Sequence, residues 1–277
     1  MKEQVWFITG ANKGLGAAIT KEVLDKGYKV IATARNTEEM RKTFGEHPNL
    51  LTVSLDITND EQVNTAVNAA LDRFGRIDVL VNNAGFAQLG YFEEMSEALI
   101  RNQMETNVFG TMKVTRAVLP IMRKQRSGWI IVMSSASGIR SVEGGSVYSA
   151  SKFALEGWVE GLSMEVKTLD IRCMLIEPGP FRTDFLNEKT SVIFSDIEID
   201  DYKHREVMRN SFVSADQKQA GNPAKLAKAL MIAMDDANPP FRLLAGERAV
   251  ESVAQYLRDR CSEYETWREV SANTDFD

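Results

Sequence analysis

The feature that most constrains this chain is a rhythm. Short apolar, β-branched runs alternate with longer amphipathic stretches from near the N-terminus to beyond residue 240. VWFI leads into LGAAITKEVLDKG, KVIATA into a short polar helical stretch, LLTVSL into DEQVNTAVNAALDRFG, and DVLVNN into a long helix from Ser96 to Lys124. WIIVMS, IRCMLIEPG and FRLLAG continue the series, with helices between them at Tyr148 to Lys167 and Pro223 to Met234. Strands separated by helical segments of this length join one parallel sheet, with the helices covering both faces. The reading is an α/β chain: one doubly wound, Rossmann-like parallel sheet of about seven strands, in a single domain over 1–277. An apolar fraction of 44% in 277 residues suffices for that core. One stretch, 181–221, breaks the rhythm by mixing Phe185, Ile193, Phe194, Tyr202 and Phe212 with many charges. So long a connection is expected to be a substrate-binding lid, the alternative being an irregular packed subdomain.

Composition excludes several classes of partner. The net charge of −6 opposes polyphosphate, and no basic run interleaves with aromatics, so nucleic acid is not an expected partner. No apolar run approaches the roughly 18 residues of a membrane span, and Val5 to Ile8 is too short for a signal segment. Cys173 and Cys261 are too few for a disulfide framework or a zinc site, and His47 and His204 lie outside every motif. No metal is implied, and the expected location is the cytoplasm.

TGANKGLG, Thr9 to Gly16, follows the first strand with glycines at Gly10, Gly14 and Gly16. A turn of this kind bends the backbone tightly and offers free helix N–H groups to a phosphate, although glycines alone also suit a plain strand-to-helix turn. The second strand ends VIATARN, so Ala34 stands where an acid would hold the ribose hydroxyls of NAD, and Arg35 follows. A 2′-phosphate would repel a carboxylate and pair with a guanidinium. Lys13 adds a second cation on the same side, and the pair points to NADP(H), unless both are solvated surface charges.

In SVYSASKFALEG, Tyr148 and Lys152 stand four residues apart, on one helix face. Lowering a tyrosine pKa by about three units takes roughly 4 kcal/mol, which one ammonium at about 4 Å supplies at an effective dielectric near 20. The spacing suffices for acid/base work, yet such pairs also occur on solvated helices. The small Ser149, Ala150, Ser151 and Ala154 leave room for a ligand or a second helix. Upstream, WIIVMSSASG delivers Ser134, Ser135 and Ser137 to a strand end, where parallel sheets bind substrate and where turns also favour serine.

Taken together, TGANKGLG, LDIT, NNAG, ETNVFG, SSASG, YSASK and EPGPFRT resemble the short-chain dehydrogenase/reductase family, in order and spacing, from about Gln4 to Thr183. The resemblance implies that Tyr148 is the general acid/base and that Lys152 lowers its pKa while holding the nicotinamide ribose. Ser135 would bond the substrate carbonyl or hydroxyl, and Asn107 would hold a water of the proton relay. It places Asn12 and Leu15 with the glycines and Lys13 in the phosphate loop. Asp56 and Ile57 would stand at the adenine, and Asn83, Ala84 and Gly85 along the cleft. Pro178, Gly179, Phe181 and Thr183 would stand at the nicotinamide.

The activity implied is NADPH-dependent reduction of a ketone or aldehyde, reversibly, with Tyr148 as proton donor. Two alternatives are an NADP-dependent dehydrogenase of a hydroxysteroid, retinol or sugar-like alcohol, and a cofactor-sensing regulator without turnover. The intact catalytic set disfavours the regulator. Phe86, Leu89, Val142 and Phe185 are expected to line an apolar pocket beside Ser135, suited to a bulky carbonyl compound. Residues 222–277 more weakly resemble bacterial members grouped with retinol and 17β-hydroxysteroid dehydrogenases. The family also pairs its two long helices between subunits. Phe153, Leu155, Trp158, Val159 and Leu162 are expected to leave apolar surface for a homodimer or homotetramer, unless the monomer covers it.

Overall fold

A computed structural model describes residues 4–276. In chain order the strands are β1 Val5–Thr9, β2 Lys29–Ala34, β3 Leu50–Ser54, β4 Val79–Asn82, β5 Ala87–Leu89, β6 Gly128–Met133, β7 Ile171–Pro178, β8 Val192–Phe194 and β9 Arg242–Ala245. The helices are α1 Gly14–Asp25, α2 Thr37–Phe44, α3 Asp60–Phe74, α4 Glu97–Met104, α5 Thr111–Gln125, α6 Ser146–Val166, α7 Arg205–Val213, α8 Pro223–Asp235, α9 Glu247–Thr266 and α10 Arg268–Ala272. Seven strands form the main sheet in the order β3-β2-β1-β4-β6-β7-β9, every neighbouring pair parallel. These are the seven apolar runs of the sequence.

Burial on both faces explains why those runs are continuously apolar rather than alternating. On one face, Val63 and Val67 of α3, Val114 and Val118 of α5, and Leu155 and Val159 of α6 pack against Phe7, Ile31 and Leu80. On the other, Ile19 and Val23 of α1, Met40 of α2, and Leu226 and Leu230 of α8 pack against Trp6, Ile8 and Ile131. The strand order reverses between β1 and β4, which opens a crevice at their carboxyl ends.

Four features depart from the sequence reading. The long helix expected over Ser96 to Lys124 is interrupted by a π-helical segment, Glu105–Gly110, between α4 and α5. Its extra residue per turn has no periodicity signal in so short a stretch. A second, two-stranded sheet pairs β5 with β8 in parallel, register Ala87↔Val192, and these three-residue strands fall below what alternation can reveal. Leu155, Val159 and Leu162 are core residues rather than free surface. The exposed apolar side chains of that flank are Phe153 and Met164, with Phe109 from the π segment. Finally, α9 and α10 follow β9 and are buried only at Ala249 and Val253. Among the described residues no helix is long and apolar enough to cross a membrane.

Candidate active site

Thr9 ties the two strands at the crevice. Its hydroxyl accepts the N–H groups of Asn83 and Ala84 at 3.0 Å each, and the Asn83 amide donates back to the carbonyls of Thr9 and Gly10, also at 3.0 Å. Gly10 turns at φ 63°, and a Cβ there would stand 2.9 Å from the Cα of Ala84. At Gly16 a Cβ would run into the Gly10 carbonyl oxygen. The loop closes on its own backbone, so only glycine fits.

Beyond it, α1 begins with Lys13 extended at the N-cap, no side-chain cap and no acid in the first turn. By contrast α2, α3 and α8 are capped by Asn36, Asn59 and Asn222. An uncapped helix start at the reversal of strand order, over a loop without side chains, fits the pyrophosphate of a dinucleotide. Leu15 packs below it on the second core. The Thr183 methyl lies 3.5 Å from where a Gly14 Cβ would be, which brings the turn after β7 to the opposite wall. That turn is held where the Gly179 N–H donates to Ala245 at 2.8 Å, next to the buried Pro178.

On the adenosine side, Ala34 is buried and Arg35 is exposed just beyond it. Burial raises the Asp56 pKa, but bonds from the Thr58 hydroxyl and N–H, with the charges of Arg35 and Lys113, outweigh it and hold the carboxyl below its ordinary value. Ile57 is buried beneath Gly110, where a Cβ would come within 2.8 Å of it. Asn12 donates to Glu39 of α2 at 2.7 Å. Lys13 has its partners in a distant stretch of the chain. Its ammonium reaches the 181–221 segment, donating to Ser191 Oγ at 2.7 Å and the Thr190 carbonyl at 3.2 Å.

Tyr148 and Lys152 lie on the buried face of α6, 9% and 6% exposed. Burial pushes the phenol up to about 12, although a hydrogen bond with Ser135 pulls the other way. Burial pushes the ammonium down to about 8, against the raising charge of Glu156. Lys152 Nζ donates to the Met133 carbonyl at 2.8 Å and stands 5.7 Å from the Tyr148 ring centroid. The close ammonium–phenol approach that would bring tyrosine toward neutrality is not the arrangement here. Desolvation is the largest influence on each group, and for Tyr148 it favours the neutral phenol over the phenolate.

Asn107, buried in the π segment, accepts the Phe86 N–H at 3.2 Å and donates to the Phe86 carbonyl at 3.0 Å and Ser151 Oγ at 3.1 Å. Gly85 faces it: a Cβ there would come 3.1 Å from Asn107 Oδ1 and 3.9 Å from Lys152 Nζ. Asn107, Ser135, Tyr148 and Lys152 thus converge on one crevice, from the π segment, the end of β6 and α6.

The 181–221 segment packs over this crevice. Phe185 tilts against Tyr148 with ring centroids 5.8 Å apart, and Ala87, Leu89 and Val192 complete an apolar cluster around it. Leu89 and Phe185 both belong to the cluster around Tyr148. Phe86 contributes its backbone through Asn107, while Val142 is exposed and packs on Gly145. Phe181 instead packs on Gly221 and the second core. Sequence reasoning missed Glu94, which is fully buried and ion-paired with Arg205 of α7 while accepting the Ile199 N–H at 2.9 Å. Tyr91 and Tyr202 stack beside that pair with centroids 4.8 Å apart. An acid buried opposite a cation more than a hundred residues away leaves no local signal. Among the described residues, no cluster of metal-ligating side chains accompanies the site.

A dinucleotide cradle beside a serine, tyrosine and lysine set defines a class, the nicotinamide-dependent oxidoreductases built on an open α/β sheet. The family profile described as short chain dehydrogenase matches residues 4–192. A solved short-chain dehydrogenase from Streptomyces avermitilis is 40% identical and superposes with a TM-score of 0.91, covering 99% of this chain and 100% of its own. A 3-ketodihydrosphingosine reductase of Bacteroides thetaiotaomicron is 36% identical over 247 residues, 89% of each chain. Retinol dehydrogenase 8 of Bos taurus is 32% identical over 269 residues, 91% of this chain and 85% of its own. The chain belongs to the short-chain dehydrogenase/reductase family and is an NAD(P)-dependent oxidoreductase.

Proposed function

We propose that the enzyme reduces a bulky apolar ketone or aldehyde with NADPH, Tyr148 giving the proton. The observation that carries this reading is the buried Tyr148 phenol, bonded to Ser135 and roofed by Phe185, where burial favours the neutral form. When bound, the nicotinamide supplies or accepts the hydride. Ser135 orients the substrate oxygen, and the Tyr148 hydroxyl releases its proton to that oxygen as charge develops on it. The Lys152 ammonium favours the resulting phenolate, and the proton moves because the developing alkoxide is a stronger base than the phenolate left behind. Asn107 holds the π segment against Phe86 and Ser151 beside this path. The 181–221 segment acts as a lid whose Phe185 excludes water from the transferred hydride. The ketone substrate of the Bacteroides relative favours reduction.

Arg35, exposed past a β2 end that carries no acid, supports NADPH over NADH. The two free thiols, Cys173 buried and Cys261 exposed, suit the cytoplasm. The apolar side chains left on the outer flank, Phe109, Phe153 and Met164, support a homodimer or homotetramer. A panel of ketones, retinoids and steroids assayed for NADPH and NADH oxidation tests the whole reading. The expected result is turnover of bulky carbonyls with NADPH preferred and the preference inverted in Arg35→Asp. Equal use of NADH by the unaltered enzyme, with Arg35→Asp indistinguishable from it, would contradict the cofactor assignment.

A further inference from the structure

Behind Lys152 lies a group of charges to which the proposed chemistry gives no task. Glu156 stands one helical turn along α6 from Lys152, on the same buried face. Arg242, on β9, donates from Nε to Glu156 Oε2 at 3.0 Å, and its Nη2 reaches Glu160. The same Nε lies 3.5 Å from Glu177 Oε1 at the end of β7. Glu156 Oε1 is buried with no hydrogen-bond partner, and so is Glu177 Oε1. A packing role alone would be met by an apolar side chain, since two half-satisfied buried carboxyls cost free energy.

The compensation stands next door. The Lys152 ammonium is 6% exposed and is bonded to a neutral carbonyl, so its desolvation needs a nearby negative charge. Facing it are Tyr148 and Glu156 from α6, the Met133 carbonyl from β6 and Asn107 from the π segment. Facing Glu156 are Lys152 and Glu160 on its own helix, Glu177 from β7 and Arg242 from β9. Arg242 fixes one Glu156 oxygen, and the Glu177 carboxyl beside it, pushed up to about 7 by burial and by the Glu156 charge, leaves Glu156 the charged member of the pair, while Arg242 itself remains part-exposed and screened by solvent.

We propose that Glu156 is a positioning residue: its carboxylate, clamped by Arg242 one turn from Lys152, holds the Lys152 ammonium in the crevice against the cost of burial. The inference rests on the reading of Tyr148 and Lys152 as proton donor and partner. Its effect has a definite sign. Burial lowers the Lys152 pKa to about 8 and Glu156 raises it, so loss of the Glu156 charge leaves less ammonium at a given pH above neutrality.

The test uses the full chain without cofactor, labelled with carbon-13 at lysine Cε. The Lys152 signal is assigned by its loss in Lys152→Arg and followed with pH by NMR. Glu156→Gln is expected to move its midpoint down by roughly one pH unit, about tenfold in proton affinity. Glu156→Asp should fall between Gln and the native residue, and Glu160→Gln should leave the midpoint in place. Should Glu156→Gln fail to fold, the aspartate variant gives the same answer on a smaller scale. In turnover with NADPH, the high-pH limb should shift down with the NMR midpoint. A Lys152 midpoint that does not move in Glu156→Gln or Glu156→Asp would overturn the inference. Undiminished turnover in Tyr148→Phe, measured alongside, would overturn the catalytic reading instead.

Discussion

At residue 16 the backbone has no room for a methyl group, because the Gly10 carbonyl and the Asn83 amide already occupy it. Gly16→Ala must therefore push apart the Thr9–Asn83 hydrogen bonds that join β1 to β4. We expect a melting temperature several degrees lower and a dinucleotide affinity reduced at least tenfold, read by calorimetry and cofactor fluorescence. Such residues were legible in the sequence because their chemistry is local: a turn needs its glycines at a set spacing, and Tyr148 and Lys152 share a face through helix geometry alone. The partner of Lys13 was not legible. Its ammonium finds Thr190 and Ser191 across 177 and 178 positions of chain, which no spacing rule anticipates. The direction of the Tyr148 pKa was also missed, because pairwise charge was counted and the desolvation imposed by Phe185 and Leu89 was not.

The seven main strands and the principal helices could be read because each buries a long, patterned surface. The 181–221 segment could be delimited but not folded in advance, since its order depends on distant anchors. Chief among these is the buried Glu94, whose carboxyl Arg205 holds below its ordinary value despite the opposing effect of burial. Arg205→Met leaves that carboxylate buried without its partner, the costly way to break such a pair. Hydrogen exchange and limited proteolysis over 196–213 should then accelerate by roughly tenfold or more, while exchange in β1, β4 and β6 stays unchanged. Equal protection of the segment in both proteins would show that the stacked Tyr91 and Tyr202 hold it alone. The π segment is a second element the sequence could not show. It turns Asn107 inward between Phe86 and Ser151, with the Thr111 hydroxyl donating to the Asn107 carbonyl at 2.8 Å.

Across the whole molecule, ionisation of the buried groups couples stability to pH. Glu177, at about 7 in the folded chain against 4.5 for a free side chain, holds a proton that the unfolded chain has released between those values. Its contribution to stability is therefore complete below 4.5 and is lost as pH rises through about 7. Lys152 acts in a separate window: depressed to about 8 from 10.5, it costs stability below 8, and that cost is relieved as pH climbs toward 10.5. Melting curves of the native chain should decline between pH 5 and 7 and those of Glu177→Gln should lose that decline, a difference of roughly 5 °C across the interval. The account as a whole turns on one hydroxyl. Tyr148→Phe removes only the proton-bearing oxygen, so NADPH binding by fluorescence titration should stay within about twofold while carbonyl reduction falls by roughly 100-fold or more. Turnover near the native rate in that variant, with cofactor still bound, would contradict the assignment of Tyr148 as the proton donor.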